Sequence, residues 1–231
     1  MRRRWRQEEL PIPNTWGGRR KNAGRKPKGG KAGVSHAQRP FHDRAHPVHV
    51  TLRTVAGVGG LRRLFVANEI GRAIRKAKRS PTGMRVIHFS IQSNHLHLIV
   101  EAKDREVLAT GMQGLAIRVA KAINGTLDRH GRVFADRYHA HALATPREVR
   151  HCIAYVLLNH RRHDERARGI DLFSSGRWFE GWRSIAPLAS EPPVSAAKTW
   201  LGARGWRRHG LIAPTERPGG EASGAKPGAM A

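Results

Sequence analysis

The chain has one cysteine, Cys152, in 231 residues. That excludes an intrachain disulfide and fits a reducing compartment. Acidic residues are scarce: 17 Asp and Glu stand against 43 Lys and Arg, a formal net charge of +26 with a pI near 11.8. Such an excess of one sign disfavours a compact chain unless a polyanion neutralises it, and nucleic acid is the first partner to expect. A ribosomal protein or a membrane-surface protein could share this balance. No apolar run approaches the roughly 18 residues that a membrane-spanning helix needs. The basic N-terminus has no apolar segment behind it, so it does not read as a secretory signal. The expectation is a soluble, cytoplasmic and nucleoid-associated protein. Tyrosine is also rare, with only Tyr138 and Tyr155 present.

Three regions differ in composition. Residues 1–40 hold twelve Lys and Arg, two Glu and many Gly and Pro. They cannot bury enough apolar surface to fold alone and read as a flexible basic arm. Arg19, Arg20, Lys21, Arg25, Lys26 and Lys28 are its candidate phosphate contacts. Gly24-Arg25-Lys26-Pro27 is loosely like a minor-groove hook, and a solvated tail is an equal reading. Residues 41–165 carry the periodicities of a folded domain. Residues 166–231 form an extension in which Trp178, Trp182, Trp200 and Trp206 punctuate a polar, Pro- and Gly-broken segment. Those rings read as docking points, or as stacking surfaces for unpaired bases. Disorder is expected from about Pro214.

Within the domain, Val48, Val50 and Leu52 alternate as a strand. Leu61, Leu64, Phe65, Ile74 and Ala77 have helical spacing over 58–79, and Pro81-Thr82-Gly83 ends that helix. Strands over 84–92 and 95–101 flank a tight Ser93-Asn94 turn. A second helix runs from Arg105 to Asn124-Gly125, and a last strand covers 137–144. Thr145-Pro146-Arg147-Glu148 starts a third helix with a capping threonine, proline at the first helical position and glutamate three residues after the cap. That helix runs through His163. The order β-α-β-β-α-β-α predicts an α+β, ferredoxin-like or RRM-like sandwich. A central antiparallel sheet would carry two helices on one face and leave the other free for chemistry.

The most informative residues are His95 and His97, in Asn94-His95-Leu96-His97-Leu98-Ile99-Val100. On a strand, side chains two apart leave the same face, so the two imidazoles stand together and can share a metal ion or grip a phosphate. On the third helix, Val149, Ile153, Val156 and Leu157 form the buried stripe. Tyr155 and Asn159, one turn apart, lie at its edge. If that helix packs on the histidine face, four side chains converge. Two histidines and a carboxamide oxygen could bind a divalent ion with positions left open for phosphate oxygens. A phenol with a pKa near 10 is a poor nucleophile until a metal or base activates it.

Asn94-His95-Leu96-His97-Leu98-Ile99-Val100, followed by Tyr155-Val156-Leu157-Leu158-Asn159, resembles the single-tyrosine HUH transposases, and within them the REP-associated tyrosine transposases. Gly131-Arg132-Val133-Phe134-Ala135-Asp136-Arg137-Tyr138 resembles that family's segment before the last strand. The likeness spans about 45–165. It implies that His95 and His97 bind Mg²⁺ or Mn²⁺, that Tyr155 is the nucleophile and that Asn159 is a third ligand. It also implies cleavage and rejoining of single-stranded, hairpin-bearing DNA through a 5′-phosphotyrosine, by a monomer or homodimer. The chain departs from the family where Asn159 is followed by His160-Arg161-Arg162-His163 instead of proline. This leaves His160 and His163 as alternative ligands. Tyr138 is the alternative nucleophile. Arg118, Lys121, Arg137, Arg161 and Arg162 are candidate phosphate contacts on the domain.

Two other readings compete. His49-Val50-Thr51-Leu52 and His88-Phe89-Ser90-Ile91 have the His-x-Ser/Thr-hydrophobic form of two-histidine phosphoesterases that act on RNA ends or cyclic phosphates. A catalytically inactive RRM-like binding module would instead stack bases on strand aromatics. The histidine strand offers His95, His97 and Ile99 there, with no aromatic among them.

Overall fold

The computed structural model describes residues 42–79, 81–163 and 167–218. The arm residues Arg19, Arg20, Lys21, Arg25, Lys26 and Lys28 lie outside that range, as do the side chains of Arg162 and His163. Four strands, β1 (Val48–Arg53), β2 (Arg85–Ile91), β3 (His95–Glu101) and β4 (His139–Ala142), form one sheet in the order β2-β3-β1-β4. All neighbours are antiparallel. Helices α1 (Leu64–Ala77), α2 (Arg105–Thr126) and α3 (Pro146–Leu158) complete the β-α-β-β-α-β-α order of an α+β ferredoxin-like sandwich. Period-2 alternation on the strands sends Val48, Val50, Leu52, Leu96, Leu98 and Val100 into one core beneath α1 and α2.

Helix α1 begins later than the apolar spacing suggests. Gly57 and Gly60 adopt φ of 90° and 73°. These left-handed conformations break a right-handed helix, so 55–63 is a loop. Helix α2 runs past Asn124-Gly125 to Thr126. The chain reverses instead at Asp128, with φ of 45°. The Asn124 side chain meanwhile donates to the Gly131 carbonyl at 2.9 Å. The start of α3 follows the sequence signal: Thr145 Oγ1 accepts from Glu148 N–H, and Glu148 Oε2 accepts from Thr145 N–H. After Asn159 the chain continues into α4 (His160–His163).

The second sheet face is not left free. Ile87, Ile99, Leu143, the buried stripe of α3 and a group from the C-terminal segment (Phe179, Trp182, Leu201, Trp206, Ile212) form a second core across it. A bulge between Val86 and His88 puts Ile87 in this second core and His88 edge-on against Phe179 of the C-terminal segment. The C-terminal segment also covers the β2 edge, where Ile91 N–H donates to the Phe173 carbonyl and Ser195 N–H to the Val86 carbonyl. The short helix α5 (Trp200–Ala203) and a 3-10 turn at 205–209 pack beneath α3. The described residues after Pro214 are held to α3 through Glu216. Glu216 accepts from Arg150 Nη2 at 2.7 Å and Nη1 at 3.1 Å.

Candidate active site

Register builds the site on the end of the second face that the packed tail leaves uncovered. Pairing sets Thr51 opposite His97 and His49 opposite Ile99 on β1–β3. On β1–β4 it sets His141 opposite His49 and His139 opposite Thr51. Directly paired residues in a sheet share a face, so one surface collects imidazoles from three strands. His97 is the centre of this group and is buried, while His95 is half-buried at the strand start.

The two histidines meet through their Nε2 atoms, 3.0 Å apart. His95 Nδ1 donates to the Asn94 carboxamide oxygen at 2.8 Å, which leaves Nε2 as its lone-pair nitrogen. On the far side of His97, Nδ1 lies 3.2 Å from both Thr51 Oγ1 and His49 Nε2. A proton on that Nδ1 leaves the His97 Nε2 lone pair facing His95. This arrangement suits a cation shared by both rings. A nitrogen–nitrogen span of 3.0 Å is that of two adjacent ligands near a right angle with metal–nitrogen bonds of about 2.1 Å. The contacts at each Nδ1 are the outer-shell partners that orient ligating histidines. His49 stacks on His97 with ring centroids 5.2 Å apart. Burial, and then the nearby His141 and His139, lower its pKa to about 4, so it stays neutral at pH 7.

Helix α3 carries the tyrosine. Its stripe Val149, Ile153, Val156 and Leu157 is fully buried against the sheet, and Tyr155 sits half-buried at the edge. There the Tyr155 hydroxyl lies 3.4 Å from His97 Nε2, and its ring meets His97 edge-on at 5.1 Å and His49 at 5.8 Å. Asn159, one turn on, is 1 % exposed, and neither its carboxamide oxygen nor its nitrogen has a hydrogen-bond partner. A desolvated amide with nothing to bond is costly. Its carboxamide oxygen is of the kind that can ligate a divalent ion. Among the described residues no three His, Cys, Asp or Glu side chains converge as a metal group. The residues that could hold an ion here are the histidine pair, with Asn159 one turn beyond Tyr155 at the end of the packed helix.

The other candidates separate from this site. Tyr138 packs with the core under α1 and α2, not with the histidines. His160 faces Asp171, 4.0 Å from its carboxylate, and that carboxylate is held by a two-pronged bond from Arg62. His160 thus lies with a structural ion pair. Arg118 and Lys121 are on α2, across the sheet from the pair, and Arg137 is exposed before β4. Arg161 is half-buried beyond Asn159. His49 and His88 of the two-histidine reading both pair with Ile99 from opposite sides, so β3 separates them, and Ile99 is sealed in the second core. His88 packs edge-on against Phe179, and burial lowers its pKa to about 4. The supporting roles of His49 and Thr51 at His97 are not visible in the sequence. Only strand register joins residues 46 and 48 positions apart.

The fold and this constellation define a class: an α+β ferredoxin-like sandwich with a site of two histidines and one tyrosine beneath its third helix. No protein-family model matches the chain, and no curated protein does. Among solved structures, a REP-associated tyrosine transposase bound to a REP hairpin is similar at 18 % identity and a TM-score of 0.44. The match covers 57 % of this chain and 75 % of that one. The likeness is distant.

Proposed function

We propose that the chain is a metal-dependent single-strand DNA endonuclease and strand transferase that works through Tyr155. The observation that carries this reading is the convergence of a phenol on a histidine pair: the Tyr155 hydroxyl is 3.4 Å from His97 Nε2, which is 3.0 Å from His95 Nε2. The net charge of +26 supports a polyanionic substrate. A divalent ion such as Mg²⁺ or Mn²⁺, held by His95, His97 and the Asn159 carboxamide, would polarise the scissile phosphate and neutralise developing charge when bound.

The remaining work belongs to the chain. Helix α3, fixed by its capped start and buried stripe, holds the Tyr155 oxygen at the pair. The phenol oxygen attacks phosphorus, its proton passes to solvent, and the bond from phosphorus to the 3′ oxygen breaks. The 3′ oxygen takes up a proton, leaving a free 3′ hydroxyl and a 5′-phosphotyrosine. One phosphodiester replaces another, so a 3′ hydroxyl can reverse the step without an external energy source. Thr51, His49 and Asn94 keep the two imidazoles in one orientation.

The test is to incubate the full chain with hairpin-bearing single-stranded DNA and Mg²⁺ or Mn²⁺. Wild type is expected to form a denaturant-stable DNA adduct that Tyr155→Phe and a chelator abolish. No adduct from wild type on any hairpin refutes the function, and an undiminished adduct from Tyr155→Phe refutes the nucleophile. Loss of activity in His88→Ala with Tyr155→Phe still active would favour the two-histidine phosphoesterase.

A further inference from the structure

The tail's aromatic residues do not all serve the core. Trp182 and Trp206 are buried, but Trp200 is 50 % exposed. Its ring nevertheless lies against the Gly205 backbone, where a Cβ would fall 2.7 Å from it. The Arg208 guanidinium stands over the same ring, 4.8 Å from its centroid, and Arg207 stands 4.9 Å over Trp206. Lys198, Arg204, Arg207, Arg208 and His209 are all exposed, and no acidic residue occurs between Glu191 and Glu216. An exposed indole packed on backbone and stacked with an arginine, among exposed cations, is the composition of a stacking platform for unpaired bases.

Its placement is set by the sheet. Glu101, at the end of β3, accepts from the backbone N–H groups of Lys198 and Thr199 and from Thr199 Oγ1, which pins the residue before Trp200. Glu101 is four residues along β3 from His97, a distance of about 13 Å. The tail also approaches the site along α3. His151, one turn before Tyr155, is exposed. The 3-10 turn at 205–209 packs directly on α3, which sets its basic residues beside the tyrosine helix.

We propose that Trp200, with Arg204, Arg207 and Arg208, is a second DNA contact that stacks an unpaired base of the strand a few nucleotides from Tyr155. This rests on single-stranded DNA being the substrate. Arg208 either swings off the indole to a phosphate or offers its own guanidinium plane to the base.

The test measures the affinity of the full chain for two DNAs, a hairpin with a single-stranded extension and the same hairpin with a blunt end. Trp200→Ala should weaken binding of the extended DNA roughly 5- to 100-fold and leave the blunt hairpin within twofold. A double Arg207→Gln, Arg208→Gln variant should lower the slope of log affinity against log salt by about 1.4 on the extended DNA. Trp200→Phe should bind nearly as wild type does, while Trp200→Leu should lose as much as the alanine variant. Binding of extended DNA unchanged by Trp200→Ala, equal losses on both DNAs, or equal binding by the Phe and Leu variants overturns the proposal. The phenylalanine–leucine comparison decides the case if the alanine variant misfolds. Trp200-dependent binding without a covalent adduct would sink the nicking reading and leave this one standing. An adduct with Trp200-independent binding would do the reverse.

Discussion

Glu101 offers the most quantitative test of how the tail is held. The carboxylate is 1 % exposed, and every group facing its two oxygens is a donor: Arg85 Nε and Nη2 at 3.2 and 2.9 Å, the N–H groups of Lys198 and Thr199 at 2.9 and 3.0 Å, and Thr199 Oγ1 at 2.7 Å. Glu101→Gln keeps the shape but replaces one acceptor with an NH₂ group. In either orientation that group opposes a donor, so at least one buried N–H loses its partner at about 1–3 kcal/mol. The ion pair with Arg85 is lost as well. Removing one partner of a fully buried pair costs about 3–5 kcal/mol. Arg85 is 29 % exposed and recovers part of that cost from water. The net expectation is a loss of about 3 kcal/mol, or a melting temperature lower by roughly 6–12 °C for a domain of this size. If the segment lets go before the domain unfolds, the global loss is smaller. Hydrogen exchange then rises at Gly202, Ala203 and Arg204, whose amides bond to Thr199 and Trp200. Thermal melts and residue-resolved exchange read both outcomes. A Glu101→Gln protein that melts within 1 °C of wild type, with unchanged exchange at those amides, would refute the latch.

Two further outcomes follow from buried groups. Asn159→Leu removes an amide with no hydrogen-bond partner. It should raise stability by about 1–3 kcal/mol while lowering adduct formation at least tenfold; a destabilised variant in urea melts, or one with full activity, removes Asn159 from the site. His88 has its pKa lowered to about 4 from 6.5, so below pH 6.5 the unfolded chain takes up a proton that the folded chain resists. Stability is whole above pH 6.5 and falls by up to about 3 kcal/mol as pH drops to 4, where the loss levels off. His88→Gln should remove about one proton from the slope of unfolding free energy against pH, and an unchanged slope in denaturant titrations at pH 4–7 counts against the burial.

Much of the domain could be read from residue order because it is written in local periodicities. The alternation of 95–101 placed His95 and His97 on one face, and β3 has those same bounds. The Thr145–Glu148 capping box placed the start of α3, and the stripe of that helix put Tyr155 at its edge. Each signal involves neighbours within one turn or one strand, where backbone geometry alone dictates which side chains face together. Left-handed glycines in the loop before α1 and the α2 reversal at Asp128 were less legible, because conformation there answers to packing beyond the local pattern.

Tertiary structure decided what surrounds the histidine pair. Only the β1–β3 register brings His49 and Thr51 to His97, and only the bulge in β2 turns Ile87 and His88 to the same side. The second sheet face looked free because the residues that cover it, Phe179, Trp182, Leu201 and Trp206, lie far along the chain in a stretch with no periodicity. Apolar burial has no direction and no range in sequence, so a scattered set of rings can close a core that no local pattern announces. That closure confines the histidine site to one end of the sheet and leaves Trp200 outside. The sequence by itself determined which side chains could do chemistry, and long-range packing determined which of them meet.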